Sequence, residues 1–235
     1  MAEYQDHFQY IYAHRAACYD RMVSCEDYLG NILPALKKIH PLIGINVVEF
    51  GAGTGRLTRL LVPRVQYICA FDISPSMLAI ARPTLASLGA NWVIGVADSR
   101  DMPVGDSVAD LTIAGWAFGH GVTWYGEHWQ AEIGKMIGEM IRILRPGGAA
   151  IIIETMGTGN ELPAPPGDHL AAYYRWLEDE CGFSYTWIRT DYQFVSWQEA
   201  EELTLFFFGD ELANRVVNTK STILPECTGI WWKYV

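Results

Sequence analysis

The chain has 235 residues, half of them apolar, and a formal net charge of −10. That length and apolar content suit one large domain, or a domain with a cap, built on a single core. The acidic balance and the lack of any Lys/Arg run argue against nucleic acid as a partner, because neutralising phosphates needs clustered cations.

The N-terminus, MAEYQDHFQY, has no apolar run of the kind a signal peptide carries, and no stretch approaches membrane-spanning length. A cytoplasmic protein without a membrane span is expected. Cys18, Cys25, Cys69, Cys181 and Cys227 show neither a C-x-x-C spacing nor an even framework, which fits reduced thiols. Residues up to about Ile39 read as helical. Within them SCEDYLGNILPAL puts Tyr28, Leu29, Ile32, Leu33 and Leu36 on one stripe, with Ser24 as its cap. The expected organisation is a single domain with a helical cap over 1–42, a core over 43–155 and a C-terminal part over 156–235.

Val47–Gly55, VVEFGAGTG, runs a strand straight into glycines at alternate positions, and the helix-like RLTRLLVP follows. Such a loop turns sharply and opens main-chain N–H groups to a ligand. Its register is not that of a dinucleotide site. G-x-G-x-x-G/A read from Gly51 reaches Arg56, and read from Gly53 reaches Thr58. No lysine follows Gly55, so a phosphate loop is excluded as well. Glu49, directly before the loop, favours a cationic ligand over a polyphosphate.

Strand and helix patterns then alternate at βαβ spacing, which argues for a parallel sheet with helices on both faces. YICAFDISPSML ends a second strand at Asp72. This carboxylate is placed either to accept ribose hydroxyls or to cap a helix starting near Pro75. WVIGVADSRDMPV ends a third strand at Asp98, which an Asx-turn would also explain. In EHWQAEIGKMIGEMIRIL, residues Trp129, Ile133, Met136, Ile137, Met140, Ile141 and Leu144 form one helical face, stopped by Arg145-Pro146-Gly147-Gly148. That methionine stripe is core.

Next comes MGTGNELPAPPGD, a loop long enough to be a lid or binding segment. Asp168 is the expected cap of HLAAYYRWLEDEC. A sixth strand lies near Phe183–Arg189, SWQEAEELTLFFFG opens on a Ser196/Glu199 capping box and closes at Gly209, and GIWWKYV supplies a last strand.

Glu49-Phe-Gly51-Ala-Gly53-Thr-Gly55 resembles motif I of the class I S-adenosylmethionine-dependent methyltransferases, in the broad type-11 group. The Asp72, Asp98 and LRPGG segments follow in that family's order, and the resemblance covers about Ile45 to Thr155. It implies an α/β doubly wound, mostly parallel seven-stranded sheet, ordered 3-2-1-4-5-7-6, with strand seven antiparallel. It also implies S-adenosylmethionine as co-substrate, no metal, and methyl transfer to a small-molecule acceptor. The implied donor-binding set is Glu49, Gly51, Ala52, Gly53, Gly55 and Asp72, with Ile73 and Met77 on the adenine. Asp98 receives the adenine amino group, and Ala97, Ser99, Trp116 and Ala117 complete the donor-binding set.

At the switch point of such a sheet the tip of strand four, AGWAFGHGVTW, lies beside the donor. His120 is the candidate general base, or else a residue that orders the loop or contacts the donor. Phe118, with Tyr19 from the N-terminal cap, is a candidate substrate-side residue. His120 and His128 lack a third metal ligand at any recognisable spacing. The family's usual polar tip is replaced here by Gly-Trp-Ala-Phe-Gly-His, so no acceptor carries over. The aromatic content, with nine Trp and twelve Tyr, points to an apolar or aromatic acceptor, and a monomer or homodimer is expected. Two other classes stay in view: a non-catalytic S-adenosylmethionine-binding or regulatory protein, and an NAD(P)-dependent oxidoreductase, which the glycine register and Glu49 disfavour.

Overall fold

The computed structural model describes residues 2–235, and side chains from residue 7 onward. Three helices come first: α1 (Ala2–His14), α2 (Ala16–Val23) and α3 (Ile32–Ile39). The helix expected from Ser24 begins only at Ile32. Asp27 interrupts it at φ 56°, and its carboxylate accepts the N–H groups of Asn31 at 2.7 Å and Ile32 at 3.1 Å. Asp27 therefore satisfies the orphan donors assigned to Ser24, and Tyr28 and Leu29 leave the buried stripe for the surface.

Strands and helices then alternate through β1 (Asn46–Phe50), α4 (Arg56–Leu61), β2 (Tyr67–Asp72), α5 (Pro75–Ala86), β3 (Trp92–Val96) and β4 (Ala109–Gly115). The short α6 (Gly119–Trp124) precedes α7 (Trp129–Ile143), which runs directly into β5 (Leu144–Thr158). The RPGG stop acts where expected. The third quarter differs from expectation: β5 continues through Thr158, so the loop before α8 (Asp168–Asp179) is shorter than the sequence suggested. Asp168 is the first residue of α8 and not its cap. Gly167 holds the cap position, and Asp168 is left to act on the helix dipole.

β6 (Ser184–Arg189) is followed by β7 (Tyr192–Gln193), α9 (Trp197–Phe208), α10 (Asp210–Thr219), β8 (Ile223–Leu224) and β9 (Glu226–Tyr234). Ser196 caps α9 by accepting the Glu199 N–H at 3.2 Å, while the Glu199 carboxylate reaches past it to the Val195 N–H at 2.9 Å.

Seven strands form one sheet in the order β3-β2-β1-β4-β5-β9-β6, and β7 and β8 pair as a separate ribbon. With that ribbon set aside the order is 3-2-1-4-5-7-6, and β9 alone runs antiparallel to its neighbours. The sheet is covered on both sides, which is why β1 and β5 read as near-continuous apolar runs. One face packs Leu36, Leu57, Leu61 and Leu85 from α3, α4 and α5; the other packs Ile133, Met140, Tyr173 and Leu177 from α7 and α8. A third cluster joins Met22 of α2 to Leu203 of α9, Val216 of α10 and Tyr192 and Leu224 of the ribbon. The N-terminal cap and the C-terminal third thus close over the same end of the sheet, the carboxyl end of the parallel strands. No helix among the described residues is long and apolar enough to cross a membrane.

Candidate functional site

β1 lies between β2 and β4, and the chain turns left from it to β2 and β3 before returning to β4 on its other side. That reversal opens a crevice outside the strand ends. Gly51 and Gly53 turn the backbone there at φ 66° and 57°. A Cβ on Gly51 would run into the Ala117 side chain, so neither the turn nor the close approach of the two loops tolerates another residue.

A cavity of about 490 Å³ fills the crevice. Glu49, Gly51, Ala52, Gly53 and Asp72 line it from β1 and β2, and Ile73 and Met77 from the start of α5. Asp98 and Ser99, which follow β3, line it as well. Trp116, Ala117, Phe118 and His120, which follow β4, and Tyr19 of α2 also line it. Two residues of the expected set stand outside the lining. Gly55, at φ 85° against Ala81, turns the chain into α4, and Ala97 is packed into the core with its N–H on the Asp72 carbonyl at 3.1 Å.

The Asp72 carboxylate accepts the Gly53 N–H and the Ser74 N–H, each at 2.7 Å. The helix-capping role falls to Ser74, whose hydroxyl accepts the Met77 N–H at 3.4 Å. Burial raises the Asp72 carboxyl above its usual range despite those two donors. Glu49 is 2% exposed and accepts the Thr58 hydroxyl at 2.6 Å; burial pushes it up to about 8. Asp98 is held differently. It makes the Asx-turn to the Arg100 N–H at 2.9 Å and is also gripped by the Arg100 guanidinium at 2.6 Å, which holds its carboxyl below the usual range. Glu132 holds the same arginine from α7 at 2.6 Å.

Trp116 stands at φ 51°, an outlier for so bulky a side chain, costing on the order of 1–3 kcal/mol. Its N–H donates to the Ile153 carbonyl at 2.6 Å, and the Arg56 guanidinium lies 3.2 Å from the centre of its ring. Arg56 is also paired with the buried Glu26. His120 lines the cavity among the rings of Phe8, Tyr12 and Trp124, stacked on Trp124 at 5.0 Å. Desolvation lowers it to about 4, so it is a neutral imidazole at neutral pH. The Tyr12 hydroxyl lies 2.9 Å from its Nε2.

A second cavity of about 290 Å³ continues from the first. Tyr12, Tyr19, Arg56, Trp116, His120 and Trp124 line both. Phe207, Tyr192, Glu154 and Glu226 belong to the second alone. Phe118, taken from the sequence as substrate-side, lines only the first, edge-on to Phe50 at 6.0 Å.

Several of these residues escaped the sequence. Arg56 sits directly after the glycine loop and Glu154 interrupts the run IIIETM, and both positions were signals that could have been used. Tyr12, Tyr192 and Glu226 carried none, because only the closing of cap and C-terminal elements over the sheet brings them in. Among the described residues no group of three or more His, Cys, Asp or Glu is arranged to hold a metal ion.

Residues 47–148 match the family described as "Methyltransferase domain". A malonyl-[acyl-carrier protein] O-methyltransferase of Pectobacterium atrosepticum is 31% identical over 62% of this chain and 51% of its own. The chain spans about half the length of the curated relatives it matches first. Among solved structures, a SAM-dependent methyltransferase from Aquifex aeolicus superposes with a TM-score of 0.54 at 18% identity, covering 86% of this chain and 88% of that one. A phosphoethanolamine N-methyltransferase 2 of Haemonchus contortus gives 0.59 at 15% identity, covering 99% and 60%. At these identities the structural likenesses speak to fold alone.

Proposed function

We propose that this chain is a class I S-adenosylmethionine-dependent methyltransferase that transfers a methyl group from S-adenosylmethionine to a small-molecule acceptor with a substantial apolar or aromatic body. The observation that carries this reading is the pair of cavities sharing one wall. A larger one is bounded by the glycine loop, Asp72 and Glu49, and a smaller, aromatic one adjoins it across His120 and Trp116. A donor in the first and an acceptor in the second would meet at that wall.

The residues present suit the donor. Gly51 and Gly53 leave room a Cβ would fill, Asp72 offers carboxylate oxygens where ribose hydroxyls would reach, and Glu49 is a buried carboxyl without a cation of its own. Ile73 and Met77 offer apolar surface to a base, and Asp98 and Ser99 polar groups beyond it. S-adenosylmethionine brings an activated methyl on a good leaving group, so the protein's main task is alignment. Tyr12, Tyr19 and Trp124 restrict where an acceptor can sit and exclude water from the wall. For an acceptor that carries a hydroxyl proton, neutral His120 at that wall is the candidate base.

Calorimetry with S-adenosylhomocysteine and transfer of a tritiated methyl group from S-adenosylmethionine test this together. Binding with transfer supports it. Binding without transfer to any acceptor in a metabolite library favours a non-catalytic binding protein. An NADH-induced stabilisation in place of the homocysteine one would favour an oxidoreductase.

A further inference from the structure

The second cavity is aromatic, yet two carboxyl groups face it from the sheet edge. Glu154 lies near the end of β5 and Glu226 begins β9, opposite Thr158 in the antiparallel register, and they are 4% and 1% exposed. Glu154 is partly satisfied, its Oε1 accepting the Gly119 N–H at 2.8 Å. Glu226 is satisfied on one side only. Its Oε1 accepts the Thr155 hydroxyl at 2.7 Å, while its Oε2 is buried with no hydrogen-bond partner.

A buried carboxyl oxygen without a donor is costly and calls for one. The protein offers this carboxyl the Thr155 and Thr158 hydroxyls but no cation dedicated to it. Arg56 is the one Lys or Arg among the described residues lining this cavity, and Glu26 and the Trp116 ring already engage it. Burial accordingly raises both carboxyls, Glu154 to about 8, with the Glu26 charge adding to the effect at Glu226. Aromatic faces around a cation-poor, carboxyl-bearing pocket attract positive charge and repel anions.

We propose that this cavity seats a small amine in its ammonium form, its nitrogen held at Glu226 Oε2 and its body packed among Tyr12, Trp124, Tyr192 and Phe207. The assignment rests on the methyl-transfer reading and names its acceptor class: transfer is to nitrogen. Seating the ammonium displaces to solvent the proton that burial keeps on Glu226. The ammonium then gives a proton to the resulting carboxylate, and the amine lone pair attacks the methyl carbon. The carbon–sulfur bond breaks with its electron pair left on sulfur. The products are the N-methylammonium and S-adenosylhomocysteine, and the proton on Glu226 returns to solvent.

Three probes with one skeleton decide it: 2-phenylethylamine, 2-phenylethanol and phenylacetate, titrated into protein saturated with S-adenosylhomocysteine. The amine is expected to bind at least about tenfold more tightly than the alcohol, as expected for one charge-assisted hydrogen bond, and phenylacetate most weakly. Glu226→Gln should remove that preference while still binding S-adenosylhomocysteine, which also shows that the variant is folded. Equal affinities, a preference for the alcohol or the acid, no binding of the amine, or a preference that survives in Glu226→Gln overturns the assignment. If Glu226→Gln does not fold, the ranking with the unmodified protein decides alone. Failure of S-adenosylhomocysteine itself to bind would instead remove the methyl-transfer reading.

Discussion

The Tyr12 hydroxyl and His120 Nε2 lie 2.9 Å apart, joining α1 to α6 across 108 positions of sequence at the wall between the two cavities. Burial raises the phenol far above its ordinary range and lowers the imidazole to about 4. Both are therefore neutral at neutral pH, and the imidazole tautomer sets which of them donates across the bond. The tyrosine orients a ring that keeps its basic form.

Replacing His120 by Ala should lower kcat by about 10²-fold or more if the imidazole receives the acceptor's proton, with S-adenosylhomocysteine affinity changed less than about threefold. Single-turnover kinetics beside calorimetry separate the two effects. A loss of donor affinity with kcat intact would make His120 a donor contact instead.

Asp72→Ala should weaken S-adenosylhomocysteine binding by about tenfold or more, one charge-assisted bond to the ribose being worth ~1.5–3 kcal/mol. It also strips the Gly53 and Ser74 N–H groups of their acceptor. Asp72→Asn keeps one acceptor oxygen and should fall between the two. Unchanged affinity in both would remove the ribose role.

Arg56→Met leaves the Glu26 carboxyl buried without its cation and removes the guanidinium from the Trp116 face. Breaking a buried pair from one side costs about 3–5 kcal/mol. Urea unfolding should show a loss of that order, and adding Glu26→Gln should recover much of it. A single-variant loss below about 1 kcal/mol would mean that the pair contributes little.

Stability should fall as pH rises from about 4.5 to 8 and level off above that. Glu49 and Glu154 have folded values near 8, above their ordinary 4.5, so the folded state holds their protons and loses that advantage as pH climbs through 8. His120 works the other way, because its folded value lies below its ordinary 6.5 and stability is lost as pH falls from about 6.5 through 4. Melting temperatures across pH 5–9 check this, and Glu49→Gln and Glu154→Gln should each flatten the alkaline limb.

Donor binding at pH 7.5 should release up to one proton, because a cationic group beside Glu49 favours its ionised form. Calorimetric enthalpies in buffers of different ionisation heat measure the release. It should be lost in Glu49→Gln; an enthalpy independent of buffer in the unmodified protein would count against the Glu49 contact.

Much of the first cavity's lining was legible because its signals are local. Gly51 and Gly53 announce positive φ by their identity, and Asp72 ends an apolar strand where any strand-end carboxylate points outward from the sheet. The errors were local as well. Asp27 competed with Ser24 for the same orphan donors, and a side chain that leaves the helical region cannot be told from one that continues it by apolar spacing alone. Helix α6 was hidden because GHGVTW has two glycines and little periodicity; its support comes from Ile133 packed beside Gly121 and from the Gly119 N–H on Glu154.

By itself, the sequence determined the order of strands and helices, the turn at Gly51 and the carboxylates of β1 and β2, since each follows from residues a few positions apart. Only the tertiary structure decided the second cavity. Tyr12, Arg56, His120, Tyr192 and Glu226 meet there because the first and last thirds of the chain close over one end of the sheet. The unpartnered oxygen of Glu226 acquires its meaning from burial, and burial is a property of the packed molecule that no short stretch of sequence carries.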